Sequence, residues 1–244
     1  MEKEHRIFID IGAHTGESLE EAIRGLYQFN ALHAIEPSNF GMQKIKKIKS
    51  KKIITHKIGV ADYSGRAFLY GSGAVGASLF EDKKVPWNTS ESVSVIRFSD
   101  WLNEYIPDNS SCYLKINVEG SEYAILKEIL SSPKQICIKS ILLSVDIYKI
   151  PSLVGIHTDF ENILKSFPIH IRIRNEKEIN LAIANWLQTE MLIDKKTSLA
   201  AFLSDRLRLE LPLTRNIRRL FKPVIPSRIW IYFALRLGPN RPRS

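Results

Sequence analysis

A D-x-G-x-x-x-G stretch, Asp10 to Gly16, lies between an apolar run (Ile7, Phe8, Ile9, Ile11) and a segment of helical character from about Glu17 to Tyr27. A glycine turn joining a buried strand to a helix leaves few architectures open. The glycines let the backbone come close to a ligand, and the helix start offers it a polar end. Leu32 to Pro37 is a second short apolar run, and it stops at an acid and a proline. Proline cannot donate to a strand ladder, so the strand should end there. Glu36 falls 20 residues after Gly16. A carboxylate at the end of the second strand can accept from both hydroxyls of a ribose. The loop is neither G-x-G-x-x-G nor G-x-x-x-x-G-K-[ST], so the dinucleotide and P-loop fingerprints both fail. The combination points to an adenosine-type cofactor on an α/β sheet.

The rest of the chain continues this alternation. A lysine-rich helix from about Asn39 to Lys49 precedes a third strand, Ile53 to Val60. Ala67 to Tyr70 and Val93 to Phe98 read as further strands, with Gly71 to Ser78 as a glycine-rich loop between them. Ser99 or Asp100 is a candidate cap for a short helix. Tyr113 to Val118 is a strand that leads into a helix ending near Leu130, and Ile138 to Ile147 is almost continuously apolar, as a strand buried on both faces should be. Beyond Phe167 the period changes. Ile169 to Arg174 and Leu207 to Leu211 alternate every second residue and read as half-exposed antiparallel strands, with mainly helical sequence between them.

Four blocks, taken in order, resemble the FkbM-type S-adenosylmethionine-dependent methyltransferases. They are Ile9 to Gly16, Ile35-Glu36-Pro37, Gly59 to Gly65, and Leu114 to Glu122, and the resemblance covers roughly residues 6 to 150. It implies a class I methyltransferase (Rossmann-like) fold, with a mostly parallel seven-stranded sheet, helices on both faces, and S-adenosyl-L-methionine at the strand ends. It also implies O-methylation of a sugar or natural-product hydroxyl. Carried over by position, Asp10, Gly12, Ala13 and Gly16 would hold the methionine end of the cofactor and Glu36 the ribose. Asp62 would lie near the adenine, although it reads equally well as a turn residue ahead of Ser64-Gly65.

Asn117 departs from the family, which usually carries aspartate there. Asparagine keeps the shape and an acceptor oxygen but cannot take a proton. Glu119 then becomes the better candidate general base, with a capping role at the next helix as the alternative. Orienting the cofactor is the alternative role for Asn117. Asp146, at the end of the following strand, could face the same crevice or solvent. His14 reads first as a polar loop residue. Trp87, Trp101 and Trp186 read as packing residues. No metal-ligand spacing is present, and a sulfonium methyl group calls for alignment and water exclusion rather than a metal.

Charge separates the body from the tail. The net charge is +9, and from Arg206 onward there are ten basic residues against Glu210 alone, so the first 205 residues are neutral overall. A methyltransferase domain over 1–211 and a basic extension over 212–244 are therefore expected. Within 215–237, Trp230, Phe233 and Leu237 share one helical face beside arginines. Such a segment suits either an anionic membrane surface or docking on the protein. Nucleic acid has no recognition motif behind it. With only Cys112 and Cys137, and no apolar run before Ile7, the expected place is the cytoplasm, peripheral at a membrane only if the tail binds one rather than docking on the protein. The expected acceptor is a glycan, a glycolipid or a related small metabolite. It would be recognised by residues 71–78, residues 82–92 or the C-terminal third. Two other readings stay open: a cofactor-binding, membrane-associated protein with altered or lost catalysis, and a nucleic-acid methyltransferase.

Overall fold

The computed structural model describes residues 5–191. The tail, the 211/212 boundary and the Leu207–Leu211 strand therefore lie outside the described residues. The first half of the main sheet is β1 (His5–Ile11), β2 (Ala31–Ile35) and β3 (Ile53–His56), with α1 (Glu17–Ala22) and α2 (Asn39–Ile45) as crossovers. The second half is β7 (Ser110–Ile116), β8 (Ile138–Leu143) and β9 (His170–Ile173), joined through α4 (Glu122–Ser131) and α5 (His157–Ser166). The order is β3-β2-β1-β7-β8-β9, and every pairing is parallel. This is the Rossmann-like α/β architecture expected, with six parallel strands among the described residues.

Between β3 and β7 the chain builds a separate three-stranded sheet from β4 (Gly59–Ala61), β5 (Gly65–Tyr70) and β6 (Ser90–Arg97), ordered β4-β6-β5. Helix α3 (Phe98–Tyr105) then returns the chain to the main sheet. The single third strand expected over 53–60 is thus two strands in two sheets. Other expectations also shift. β9 pairs parallel with β8, because a crossover through α5 brings it back in the same direction. Among the described residues β9 is the outermost strand of the sheet, so its alternation does not mark a hairpin. The cap of α3 is Arg97, and neither Ser99 nor Asp100 serves; Ser99 instead donates its hydroxyl to Glu128 of α4 at 2.5 Å. α1 ends at Ala22, ahead of Gly25, a poor helix residue.

The two faces of the sheet are covered differently. Ile7, Ile9 and Ile11 of β1 pack with Phe98, Trp101 and Leu102 of α3 and with Ile125, Leu126 and Ile129 of α4. Phe8 points the other way, toward Phe29 and toward Trp186 of α6 (Ile179–Glu190), at ring separations of 5.5 and 6.4 Å. Trp186 also donates its ring N–H to Ser140 Oγ at 2.9 Å. Trp101 and Trp186 are fully buried packing residues, as expected, whereas Trp87 is about half exposed.

Two buried titratable groups act on stability with opposite sign. His33 stacks on His56, their ring nitrogens 2.9 Å apart, and burial, followed by the charge of His56, lowers its pKa from 6.5 to about 4. The unfolded chain therefore binds the extra proton, and stability falls as pH drops through that window, by about 3 kcal/mol at most. Glu122, at the start of α4, accepts from the Gly120 and Asp146 amides through Oε1 while Oε2 is buried without a partner. Burial raises its pKa from 4.5 to about 7. Here the folded chain binds the extra proton, so stability is lost as pH rises from 4.5 to about 7. Between pH 5 and 6.5 the two slopes offset each other. Glu122→Gln removes one of them and keeps the shape. At pH 8 the variant should gain on the order of 2–3 kcal/mol in urea unfolding, and its stability should rise with pH between 5 and 7. Equal midpoints for variant and wild type at pH 8 would contradict a buried ionised carboxylate.

Candidate functional site

The main sheet changes direction between β1 and β7: from β1 the chain moves to β2 on one side, and β7 lies on the other. Loops leaving the carboxyl ends of these two strands diverge and open a crevice, where ligands of open α/β sheets bind. A cleft of about 230 Å³ opens there. Its floor is Ile11, Gly12, Ala13 and Asn117. Gly12 has φ 75°, and a Cβ on it would lie 1.9 Å from the Asn117 carbonyl oxygen. Only glycine lets these two loops meet so closely. The Asn117 amide closes the junction by donating to the Ile11 carbonyl at 3.0 Å.

The amides of the glycine loop are largely committed to the loop's own structure. Those of Gly12 and Ala13 both donate to the Ile35 carbonyl, at 3.0 and 3.1 Å, and that of Gly16 donates to Ala13. The His14 amide donates to Glu36 Oε2 at 2.8 Å. Gly16 does not line the cleft. Its missing side chain makes room for Ile48 and Ile45, so it serves the packing of α1 on α2. Asp10 is also outside the cleft wall, fully buried beneath the loop. It accepts from Ser18 Oγ and faces the Lys115 ammonium at 2.9 Å, and that ammonium also donates to the Gly12 carbonyl at 2.6 Å.

Lys115 was not singled out in the sequence, yet it lines the cleft and is only 3% exposed. Its signal was a lysine inside an otherwise apolar strand, which needs a charged partner when buried. The β1–β7 register supplies one by placing Asp10 directly beside Lys115.

Glu36 ends β2 as expected, lines the cleft, and is 6% exposed. Burial pushes its carboxyl pKa up, and three donors oppose that shift. They are the His14 amide on Oε2 and, on Oε1, the Ser38 amide at 2.9 Å and hydroxyl at 2.5 Å. A carboxylate offers about four acceptor positions, so one remains for a ligand hydroxyl. Beside it, the His14 ring bonds Glu17 through Nδ1 at 3.4 Å, while Nε2 is buried without a partner among the described residues. The bond to Glu17 raises the His14 pKa and holds the Glu17 carboxyl down at about 2. Both residues line the cleft, so His14 is more than loop polarity. An orphaned ring nitrogen and an open acceptor site, side by side, fit the hydroxyl-bearing part of an adenosine-type cofactor.

The other expected residues divide. Asn117 and Glu119 both line the cleft. Glu119 has φ 56°, a left-handed conformation that few non-glycine residues adopt. Its Oε2 is paired with the ammonium of Lys83, which is 6% exposed and also donates to the Gly76 carbonyl at 2.7 Å. Ser78 Oγ donates to the Glu119 carbonyl at 2.7 Å. Glu119 does not cap α4, whose cap residue is Ser121. Lys83 therefore ties the glycine-rich loop, of which Gly73 to Ala77 line the cleft, to the strand end that carries Glu119. Asp62 is exposed and outside the cleft, in the turn ahead of β5. Ile58, Val60 and Leu69 form the wall it was expected to serve. Asp146 is buried but faces Lys149, away from the cleft, and Asp100 is exposed on α3.

The Asp10–Lys115 pair is testable by itself. Asp10→Asn and Lys115→Met should each cost about 3–5 kcal/mol in urea unfolding, because each leaves a buried charge alone. The double variant should cost well below the sum. Additive losses would mean the two groups do not interact.

The methyltransferase FkbM domain model matches residues 10–176. Among solved structures, methyltransferase FkbM from Methylobacillus flagellatus KT is similar at 17% identity and a TM-score of 0.36. That match covers 76% of this chain and 37% of that one, so the chain spans well under half of its neighbour. No curated protein matches. The domain match takes in both crevice loops, the carboxylate at the end of β2 and the whole inserted sheet, and by it this chain belongs to the FkbM methyltransferase family.

Proposed function

We propose that the chain is an S-adenosylmethionine-dependent O-methyltransferase acting on a hydroxyl of a glycan, glycolipid or related small metabolite. The observation that carries this reading is Glu36, a carboxylate with one open acceptor position at the edge of the β1–β7 crevice. When bound, the cofactor supplies an activated methyl group on a sulfonium. Glu36 then accepts from a ribose hydroxyl, and His14 Nε2 offers a second polar contact. Ile58, Val60 and Leu69 give an apolar wall for an adenine ring. The loop Gly73 to Ala77 lines the cleft and would keep water from a bound cofactor, which matters because transfer depends on alignment.

Proton removal falls to Glu119. Asn117 cannot take a proton. Lys83 holds Glu119 through Oε2, which fixes the carboxylate and leaves Oε1 to accept the proton of an acceptor hydroxyl. Lys83 thus acts as a positioning residue for Glu119.

Calorimetric titration should give micromolar affinity for S-adenosylmethionine and S-adenosylhomocysteine and none for NAD; no binding to the first two would overturn the reading. Glu36→Ala should weaken S-adenosylhomocysteine on the order of 10–100-fold with the fold retained. Glu119→Gln should leave that affinity unchanged and lower transfer of labelled methyl to a glycan or lipid acceptor pool by roughly 10²–10⁴-fold. Full transfer by that variant would remove Glu119 as the base.

A further inference from the structure

Two large rings stand partly in solvent beside the cleft, and the chemistry above uses neither. Trp87 is 49% exposed and Phe40 is 40% exposed, whereas Trp101 and Trp186 are buried completely. Gly73, which lines the cleft at φ 87°, shows where the two rings meet. A Cβ on Gly73 would lie 3.3 Å from Trp87 Cζ3 and 3.4 Å from Phe40 Cβ. Both side chains therefore border the same gap above the glycine. The His14 ring, also part of the cleft wall, lies 6.3 Å from the Phe40 ring. Val75, two residues beyond Gly73, lines the cleft and is largely exposed. The rim of the cleft is thus aromatic and apolar where it meets solvent.

These rings are held in place before any ligand arrives. Glu91 of β6 accepts from the Asn39 amide, one residue ahead of Phe40, at 3.1 Å. It also accepts from Ser72 Oγ, one residue ahead of Gly73, at 2.7 Å. One carboxylate therefore fixes the start of α2 against the glycine-rich loop. The Gly71 amide donates to the Thr89 carbonyl at 2.7 Å, which ties the loop to the segment just after Trp87. Rings ordered in advance lose little entropy when a ligand stacks on them.

Resting on the O-methyltransferase reading above, we propose that Trp87 and Phe40 form the stacking platform for a sugar ring of a glycan acceptor. A pyranose has an apolar face of C–H groups and a rim of hydroxyls. The negative face of an aromatic ring attracts those C–H groups. An acyl chain suits a continuous apolar groove, and this patch is interrupted by polar groups. The Lys44 ammonium lies 5.4 Å from the centre of the Phe40 ring, and Asn39 and Ser72 stand next to Phe40 and Gly73 in the chain. Such neighbours suit hydroxyls. The distance to the proposed base also fits. A Cβ on Gly76 would lie 3.9 Å from Glu119 Oε2. Gly73 and Gly76 are three residues apart, a reach of about 10 Å at most, so a ring on the platform lies within one further sugar unit of Glu119.

The test measures transfer of labelled methyl from S-adenosylmethionine to methyl hexopyranosides, methyl 6-deoxyhexopyranosides and their disaccharides. S-adenosylhomocysteine affinity is measured by calorimetry on the same full-length proteins. Trp87→Ala should raise the acceptor KM about tenfold or more, with kcat and S-adenosylhomocysteine affinity unchanged, because the ring supplies binding rather than chemistry. Trp87→Phe should restore most of the loss. Trp87→Leu, apolar but without a ring face, should behave as Trp87→Ala does. Phe40→Ala should act in the same direction. An unchanged KM in Trp87→Ala overturns the proposal. So does a wild-type KM in Trp87→Leu, since apolar contact alone would then suffice, as for an acyl chain. A parallel fall in S-adenosylhomocysteine affinity also overturns it, because the rings would then shape the cofactor cleft. A wild type that binds S-adenosylhomocysteine but methylates none of these sugars overturns the glycan platform and leaves the cofactor reading standing. No binding of S-adenosylhomocysteine overturns the cofactor reading itself.

Discussion

The meeting of β1 and β7 fixes everything built above it. Asp10 and Lys115 are neighbours across that junction, both buried, and the lysine also holds the Gly12 carbonyl. A charged pair this deep adds little net stability compared with an apolar pair, yet breaking it is costly. Its value is in register. A slip of one residue between β1 and β7 would leave an ammonium and a carboxylate facing apolar neighbours. The pair therefore locks the two strands whose ends form the crevice, and Gly12 meets Asn117 because that register holds.

How far the sequence could be read depends on the kind of information each feature carries. The parallel sheet was legible because strands such as Ile138 to Leu143 carry apolar residues on both faces. The Glu36 position was legible because acid and proline end a strand in one local pattern. The direction of β9 was not: period-two alternation reports one exposed face, and an edge strand of a parallel sheet shows it as readily as a hairpin does. The split of 53–60 was hidden because continuous β-forming sequence does not show where a chain changes sheets.

The site residues follow the same division. Gly12 and Asn117 were singled out by motif, and both line the cleft. Gly16 and Asp62 belong to the same blocks but serve packing and a turn, since proximity in sequence does not fix which way a residue faces. Lys83 and Lys115 escaped notice because each takes its meaning from a partner far away in the chain: Glu119 and Asp10. A lysine without its partner in view looks like any solvated lysine.

The bond between Lys83 and Glu119 joins two parts of the molecule that are distant in the chain. The inserted sheet brings the lysine and the loop over the cleft, and the end of β7 brings the acid in its left-handed turn. Loops at a cleft are where sequence is free to drift. Here the drift is tethered, since a replacement insertion must arrive with an ammonium at the same point or leave a partly buried acid without its counter-charge. Change in this loop should therefore proceed around a fixed lysine rather than by exchange of the whole insertion.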